Sequence, residues 1–537
     1  MRCFIARGIK RGIKIVVFAG MILASVLQVG AAAEGRFGGT LRVAIEKDPV
    51  ALDPSVHFHA PGKVIMHHMG EGLVGFREDM TVGPVLARSI EISEDGTQYI
   101  FKLRKGARFH NGALVTAEDV KWVWENFYLN PDVNWEGAVW FNGRGHRDSR
   151  DRGVNILSIE APSKDRVVFR LQSPSNVFLS RLADISKWAV IFHRDSLDQN
   201  GGWKQFIGTG PYRLHKWEKG KYVDLIRFKH YVPAEGRREG YVGEKIAYLD
   251  KIRFVITGDA QKSRQALLAG DVDVWPWATA EDLELIKADT RFVVQTAVNP
   301  NWYVLLLQTR DPLLKDVRLR RAIAHAIDYD KLARMNTEGW VGKNPSPISP
   351  FSSFYSAVQA KGYAYDPALS RKLQQEAGYA GHPIRLEAPI DAWPAIYKNA
   401  PVIRDMLRAA GFNIEFTPLP WDIQLNQNYK KGTLQLSSFG YGMPLHPSLQ
   451  YDQFMGDKNR YARAQWDSPE AVQLVDASVV APTRAEQQAY YDRLHEMMIE
   501  EVPIIGLYNF EVTDVVVRRL KGYESWMAMR PRFWGVY

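Results

Sequence analysis

The chain of 537 residues contains a single cysteine, Cys3, at its extreme N-terminus. Beyond it there is no thiol to serve as nucleophile or metal ligand, and no disulfide can form. A second long hydrophobic run is also missing. After Ile15–Val29 no apolar stretch approaches the ~20 residues that cross a bilayer. Catalytic signatures are absent too. Neither a GxSxG nucleophile elbow nor a GxxxxGK[ST] phosphate loop occurs, which argues against serine hydrolases and against an ATPase. The segment His495–Ile499 imitates the zinc-protease HExxH but has Ile499 where the second histidine is required. Scattered Asp and Glu leave a hydrolase with a carboxylate pair as a residual alternative. Charge itself is missing from one place. From Gly432 to Tyr451 no Asp, Glu, Lys or Arg occurs, in a chain that is 24% charged, and only His446 titrates near neutrality.

What is present starts with the first residues. Arg2, Arg7, Lys10, Arg11 and Lys14 precede the short apolar run, and Ala31-Ala32-Ala33 follows it. This is the pattern of a secretory signal peptide, residues 1–33, with a mature chain starting near Glu34. No cysteine stands at the cleavage point to carry a lipid tether, so a soluble protein of the bacterial periplasm is expected. The five basic residues of the signal lower the formal charge of +9 to +4 in the mature chain, a mild excess that gives no reason to invoke nucleic acid. The length exceeds what one core holds, and two or three lobes follow.

The mature chain alternates strands and helices. TQYIFKLRKG (97–106) places Tyr99, Phe101 and Leu103 on one face, the period of a half-buried strand. Thr116 opens a helix with Asp119 three residues on, and Val120, Val123, Trp124 and Phe127 form its apolar stripe. Thr483 and Glu486 make a capping box for a helix that ends before Pro503, and IIGLYNFEVTDVVV (504–517) returns to strand. Two α/β lobes that share chain crossovers are the fold class this implies. Four histidines, His57, His59, His67 and His68, lie close together, so a metal or metal-chelate receptor is an alternative.

Several blocks resemble one family in its own order. They are GGTLRVAIEKDPVALDPSV (38–56), LARSIEISEDGTQYIFKLRKGARFHNGALVTAEDVKWVWE (86–125), GTGPYRLHKWEKGKYVDLIRF (208–228), ALLAGDVDV (266–274) and LLKDVRLRRAIAHAID (313–328). All are similar to the family 5 extracellular solute-binding proteins, the receptors of peptide, nickel and related ABC importers. The resemblance implies an α/β periplasmic binding protein of two lobes, type II-like and cluster C, with an extra subdomain in the first lobe. It places the first lobe at 34–294 with a returning segment at 504–537, and the second lobe at 295–503. It implies capture of a small-molecule solute by hinge closure and delivery to an inner-membrane permease with its ATPase. It also implies a monomer with no cofactor, no resident metal and no catalysis.

Two departures from the family pattern concern the ligand. Peptide-binding relatives have an aromatic after a glycine and then an acid that pairs with the peptide ammonium. Here Gly440-Tyr441 keeps the pair, but Gly442, Met443 and Pro444 follow, and His446 stands where an acid often sits. Dipeptide binders have an Arg before a Pro where this chain has Trp393 before Pro394. Closing a cleft over an unpaired ion is unfavourable by several kcal/mol. An uncharged or differently anchored solute is therefore expected: an oligosaccharide, an opine-like conjugate or a blocked peptide. The resemblance and the aromatic content together nominate Trp393, Trp421, Tyr441, Phe439, Met443, His446 and Trp302 from the second lobe. His57, Phe58 and His59 are nominated from the first.

Overall fold

The computed structural model describes residues 36–56, 60–143, 153–337, 339, 341–392, 394–442 and 444–537. The expected signal, 1–33, lies outside them. The local rules hold where they can be read. Thr116 and Asp119 form a reciprocal capping box on helix Ala117–Val123, and Thr483 and Glu486 form another on Arg484–Glu501. That second helix stops at Val502, which is left-handed at φ 49°, ahead of Pro503.

A ten-stranded mixed sheet runs through the molecule. Its order is Tyr212–Glu218, Tyr222–Arg227, Lys251–Ile256, Thr40–Ile45, Val274–Trp275, Ile504–Val517, Phe292–Leu307, Leu436–Tyr441, Ile384–Pro389 and Ile414–Leu419. Phe292–Leu307 and Ile504–Val517 are the two long strands, at 16 and 14 residues, and they pair antiparallel at the centre. A separate four-stranded antiparallel sheet is ordered Ala87–Ile92, Gln98–Leu103, Arg166–Leu171, Ile156–Ser163. It is the extra subdomain of the first lobe.

Side-chain packing divides the chain into two lobes along these strands. Val43, Phe254, Phe533 and Trp534 belong to one large core, with Leu267, Trp275, Phe292 and Val515 in its neighbour. Leu305, Ile323, Ile403 and Tyr508 belong to a core on the other side, with Trp302, Phe439, Tyr491 and Ile504 beside it. Packing therefore changes hands between Phe292 and Trp302 on one long strand and between Phe510 and Val515 on the other. Within the segment expected to return to the first lobe from 504, Ile504, Ile505, Leu507, Tyr508 and Phe510 pack in the same cores as Trp302 and Leu305.

The ladder between the long strands breaks register between Asn299 and Trp302, the mark of a bulge. A bulge leaves backbone groups unpaired, and buried ones need partners. Asparagines supply them. Asn509 donates to the carbonyls of Pro300 (2.9 Å) and Asn301 (3.1 Å), and Asn344 donates to Asn509 Oδ1 at 3.0 Å. Asn299 Oδ1 accepts from Asn301 N at 2.9 Å, while its amide donates to Met527 O in the returning segment. Beside the bulge Gly506 lies so close to Trp302 that an added Cβ would fall 2.4 Å from the indole ring and 2.7 Å from Asn344 O, so no larger residue fits.

The first-lobe core also contains neutral histidines. His68 is fully buried, with Nδ1 at 2.8 Å from Val64 O and Nε2 accepting from Phe533 N at 3.1 Å. That geometry requires the Nδ1–H tautomer, and burial lowers its pKa to about 4. Both ring nitrogens are thereby engaged, which removes His68 from any metal site. His67 faces Tyr241 Oη at 3.0 Å on the same core. His57 and His59 lie outside the described residues, and among the described residues no cluster of three or more His, Cys, Asp or Glu is arranged to hold a metal.

A histidine whose folded pKa lies below its unfolded value stabilises the fold above pH 6.5, and that stability is lost as pH falls toward the folded pKa. For His68 the full loss is on the order of 3 kcal/mol. His68→Gln is expected to lower Tm at pH 7.5 and to flatten its decline between pH 6.5 and 5, measured by thermal melts across that range. An unchanged slope would refute the neutral buried imidazole.

Candidate ligand-binding site

The second lobe presents an aromatic wall built on the strand Leu436–Tyr441. Alternate residues of a strand share a face, so Phe439 and Tyr441 point the same way, opposite Val304 and Trp302 on the neighbouring long strand. Tyr429 stacks on Phe439 with centroids 4.7 Å apart, and its hydroxyl meets that of Tyr441 at 3.1 Å. Trp421 stacks on Phe439 at 5.6 Å and 26°. Its backbone N–H is fixed by Asp391 Oδ1 at 2.7 Å.

Exposure falls steadily through this wall. Trp421 keeps part of its surface free, whereas Phe439 and Tyr441 retain 4% and 5%. Trp302 retains none, and its indole N–H donates to Asn344 O at 2.9 Å. The expectation that Trp302 offers a cleft surface is corrected: it is a core residue beneath the bulge. Phe439 and Tyr441 support the wall from behind, and Trp421 is its outer leaf.

The uncharged stretch continues past the strand. Gly442 is exposed, its carbonyl accepts from Gln453 Nε2 at 2.7 Å, and an added Cβ would face Asn301 Oδ1 at 3.9 Å. The end of the wall therefore meets the bulge between the lobes. His446 precedes helix Pro447–Tyr451 with its ring buried against Phe354, 2.8 Å from Ser448 Oγ. Burial lowers its pKa to about 4, with the charge of Arg181 on the first lobe adding to the effect, so the imidazole is neutral at pH 7. The nominated Trp393, Met443, His57, Phe58 and His59 lie outside the described residues.

Two contacts that the sequence did not reveal join the lobes. One is the Asn299 bond to Met527 at the bulge. The other is Asn176 of the first lobe, which donates to Val479 O (2.8 Å) through its backbone and to Ser478 O (3.2 Å) and Ala481 O (2.8 Å) through its amide. Leu445, Leu449 and Val479 of the second lobe pack on the first-lobe core beside it. Asparagines in loops carry no periodicity, so no pattern marks these two in advance.

Residues 81–462 match the model for bacterial extracellular solute-binding proteins, family 5. The chain belongs to this family. Among the relatives of this family 5 protein is the dipeptide-binding protein DppE of Bacillus subtilis, 22% identical over 510 residues that cover 89% of this chain and 88% of DppE. Among solved structures, HbpA2 from Haemophilus parasuis superposes with a TM-score of 0.78 at 20% identity, covering 93% of this chain and 99% of that one. AgaA from A. tumefaciens R10, solved with agropinic acid, superposes with a TM-score of 0.66 at 22% identity, covering 93% of this chain and 96% of that one.

 Membership makes this protein a substrate-binding component of an ABC importer, a class that binds and releases solutes and performs no chemistry on them. Among the described residues no helix is long and apolar enough to cross a membrane.

The gradient of exposure through the wall separates two substitutions. Trp302→Ala is expected to destabilise by about 3–5 kcal/mol, as for a large core aromatic. Trp421→Ala is expected to leave Tm within a few degrees of wild type while weakening solute binding. Thermal melts and calorimetric titration compare the two, and equal losses of stability would contradict the assignment.

Proposed function

We propose that this receptor captures a solute lacking a free peptide ammonium, by closing its lobes on the long-strand pair, and delivers it to an inner-membrane permease with its ATPase. An opine-like conjugate, an oligosaccharide or a blocked peptide fits this description better than a free dipeptide. The observation that carries the reading is the neutral, ring-buried His446 in a stretch without a carboxylate from Gly432 to Tyr451. An ammonium brought against this stretch meets no opposite charge, and a desolvated ion without a partner costs several kcal/mol. Aromatic surface such as that of Trp421 suits the apolar face of a sugar ring or a planar conjugate. AgaA, solved with agropinic acid, is a relative in fold.

The same reading holds that residues 1–33 are a signal cleaved near Ala33-Glu34, that the mature protein is a periplasmic monomer, and that its lobes are 34–294 with the returning segment, and 295–503. Packing favours setting the return ten or so residues after 503, inside the second long strand. Thermal-shift assays against free dipeptides, N-acetylated peptides, oligosaccharides, opines and metal chelates test the ligand class. A rise in Tm with one of the ammonium-free classes and none with free dipeptides is the expected outcome. A rise confined to zwitterionic dipeptides would sink the reading.

A further inference from the structure

The fold uses only one oxygen of the Asp391 carboxylate. The residue follows strand Ile384–Pro389 and is exposed. Its Oδ1 accepts the backbone N–H of Trp421 at 2.7 Å. Among the described residues its Oδ2 accepts no hydrogen bond and the group forms no ion pair. A second bond pins the same loop, because Ile390 N donates to Leu419 O at 3.0 Å. The Ile390 side chain is 59% exposed, and Trp421 is half-buried with one face stacked toward Phe439. A carboxylate, an indole and an aliphatic side chain therefore stand together with free surface.

Their position follows from strand register. Ile384–Pro389 runs parallel to both Ile414–Leu419 and Leu436–Tyr441. Pro389 pairs with Leu419, and Glu387 pairs with Ser437. Asp391 and Trp421 thus each lie just past a matched pair, at the carboxyl ends of the strands, level with Tyr441. In open α/β sheets the crevice outside the carboxyl ends is where ligands bind. Contacts at both sides place this edge against the first lobe. At one side the wall ends on Gly442 beside Asn301 of the bulge. At the other, helix Pro394–Ala409 opens after the Asp391 loop, and its Lys398 lies 3.9 Å from Glu281. Glu281 belongs to helix Ala280–Glu284, whose Leu283 packs in the first-lobe core with Leu267 and Trp275.

We infer that Asp391 and Trp421 form a subsite for a hydroxylated part of the solute, a sugar ring or a polyol chain. The carboxylate accepts a hydroxyl, and the indole covers the apolar C–H face beside it. This rests on the reading of the chain as a receptor for an ammonium-free solute and narrows it. A hydroxyl needs one acceptor for its proton, and Oδ2 supplies it. An ammonium brings three donors, and a single free oxygen leaves the others without a carboxylate in the stretch Gly432–Tyr451. A solvent-exposed ion pair is also worth little. The bond from Trp421 N–H sets the carboxylate and the ring relative to each other before the solute arrives. Among the candidates this favours oligosaccharides and sugar conjugates over blocked peptides.

The test uses the mature chain with Asp391→Asn, Asp391→Ala and Trp421→Ala. Asparagine keeps an oxygen for Trp421 N–H and removes the charge, so Asp391→Asn without solute is expected to melt with wild type. The probes are di- and trisaccharides, opine-type sugar conjugates, N-acetylated dipeptides without hydroxyl side chains, and the same dipeptides with a free amine. Each is titrated calorimetrically. A hydroxylated probe is expected to bind wild type and to lose affinity about 10-fold or more in Asp391→Asn and in Trp421→Ala, as for a hydrogen bond to a charged group.

Hydroxylated probes bound equally by wild type and Asp391→Asn would overturn the inference, and so would binding confined to N-acetylated dipeptides. Either result leaves the broader reading intact. A fall in Tm in Asp391→Asn as large as in Asp391→Ala, with affinity unchanged, reduces Asp391 to a structural tie and also overturns it. Free dipeptides bound alongside a hydroxylated probe that Asp391→Asn weakens do the reverse, sustaining the subsite and refuting the exclusion of an ammonium. Free dipeptides bound alone, with no hydroxylated probe accepted, overturn both. A panel in which no hydroxylated probe binds overturns the subsite.

Discussion

Two antiparallel strands hold this molecule together. Phe292–Leu307 and Ile504–Val517 contribute to cores on both sides, so the lobes are joined through a continuous ladder and not through a loose linker. The ladder shifts register between Asn299 and Trp302 and again between Tyr303 and Val304, and at the first of these the asparagines 299, 344 and 509 take over hydrogen bonds that the bulge releases. This satisfies the backbone without adding side-chain bulk, which lets Trp302 and Gly506 pack directly beneath. The joint thus shifts register while its backbone groups stay hydrogen-bonded.

The two lobes bring different chemistry to the space between them. The second offers aromatic surface backed by a hydroxyl pair, with a histidine kept neutral by burial. In the first lobe, buried cations are matched by carboxylate, Arg104 and Lys245 sharing Glu71. In a closed cleft an unmatched charge is expensive, and an aromatic face is indifferent to charge of either sign or mildly favours cations. Selection by such a pair of surfaces depends on where the solute carries its charge as much as on whether it has one.

Much of the architecture could be read in advance because its signals are local. The alternation in 97–106 reports a strand, Thr116 with Asp119 and Thr483 with Glu486 report helix starts, and the blocks between 38 and 328 report the family. The site was harder. Trp302 and Trp421 are the same residue type in comparable settings, and only the third dimension shows that one lies under the bulge and the other at the edge of the wall. The resemblance sets the return to the first lobe near Pro503, and the residues just after it, from Ile504 to Phe510, pack with Trp302, Leu305 and Tyr303, a contact that the linear sequence does not display.

The Asn176 contact has a further consequence. The carbonyls to which Asn176 donates, those of Ser478, Val479 and the C-cap Ala481, close the end of helix Pro469–Val480, where such groups lack partners within the helix. One lobe therefore caps a helix of the other. On the proposed capture by lobe closure, parting the lobes hands that turn back to water, and fraying of a few residues at the helix end is coupled to opening of the molecule.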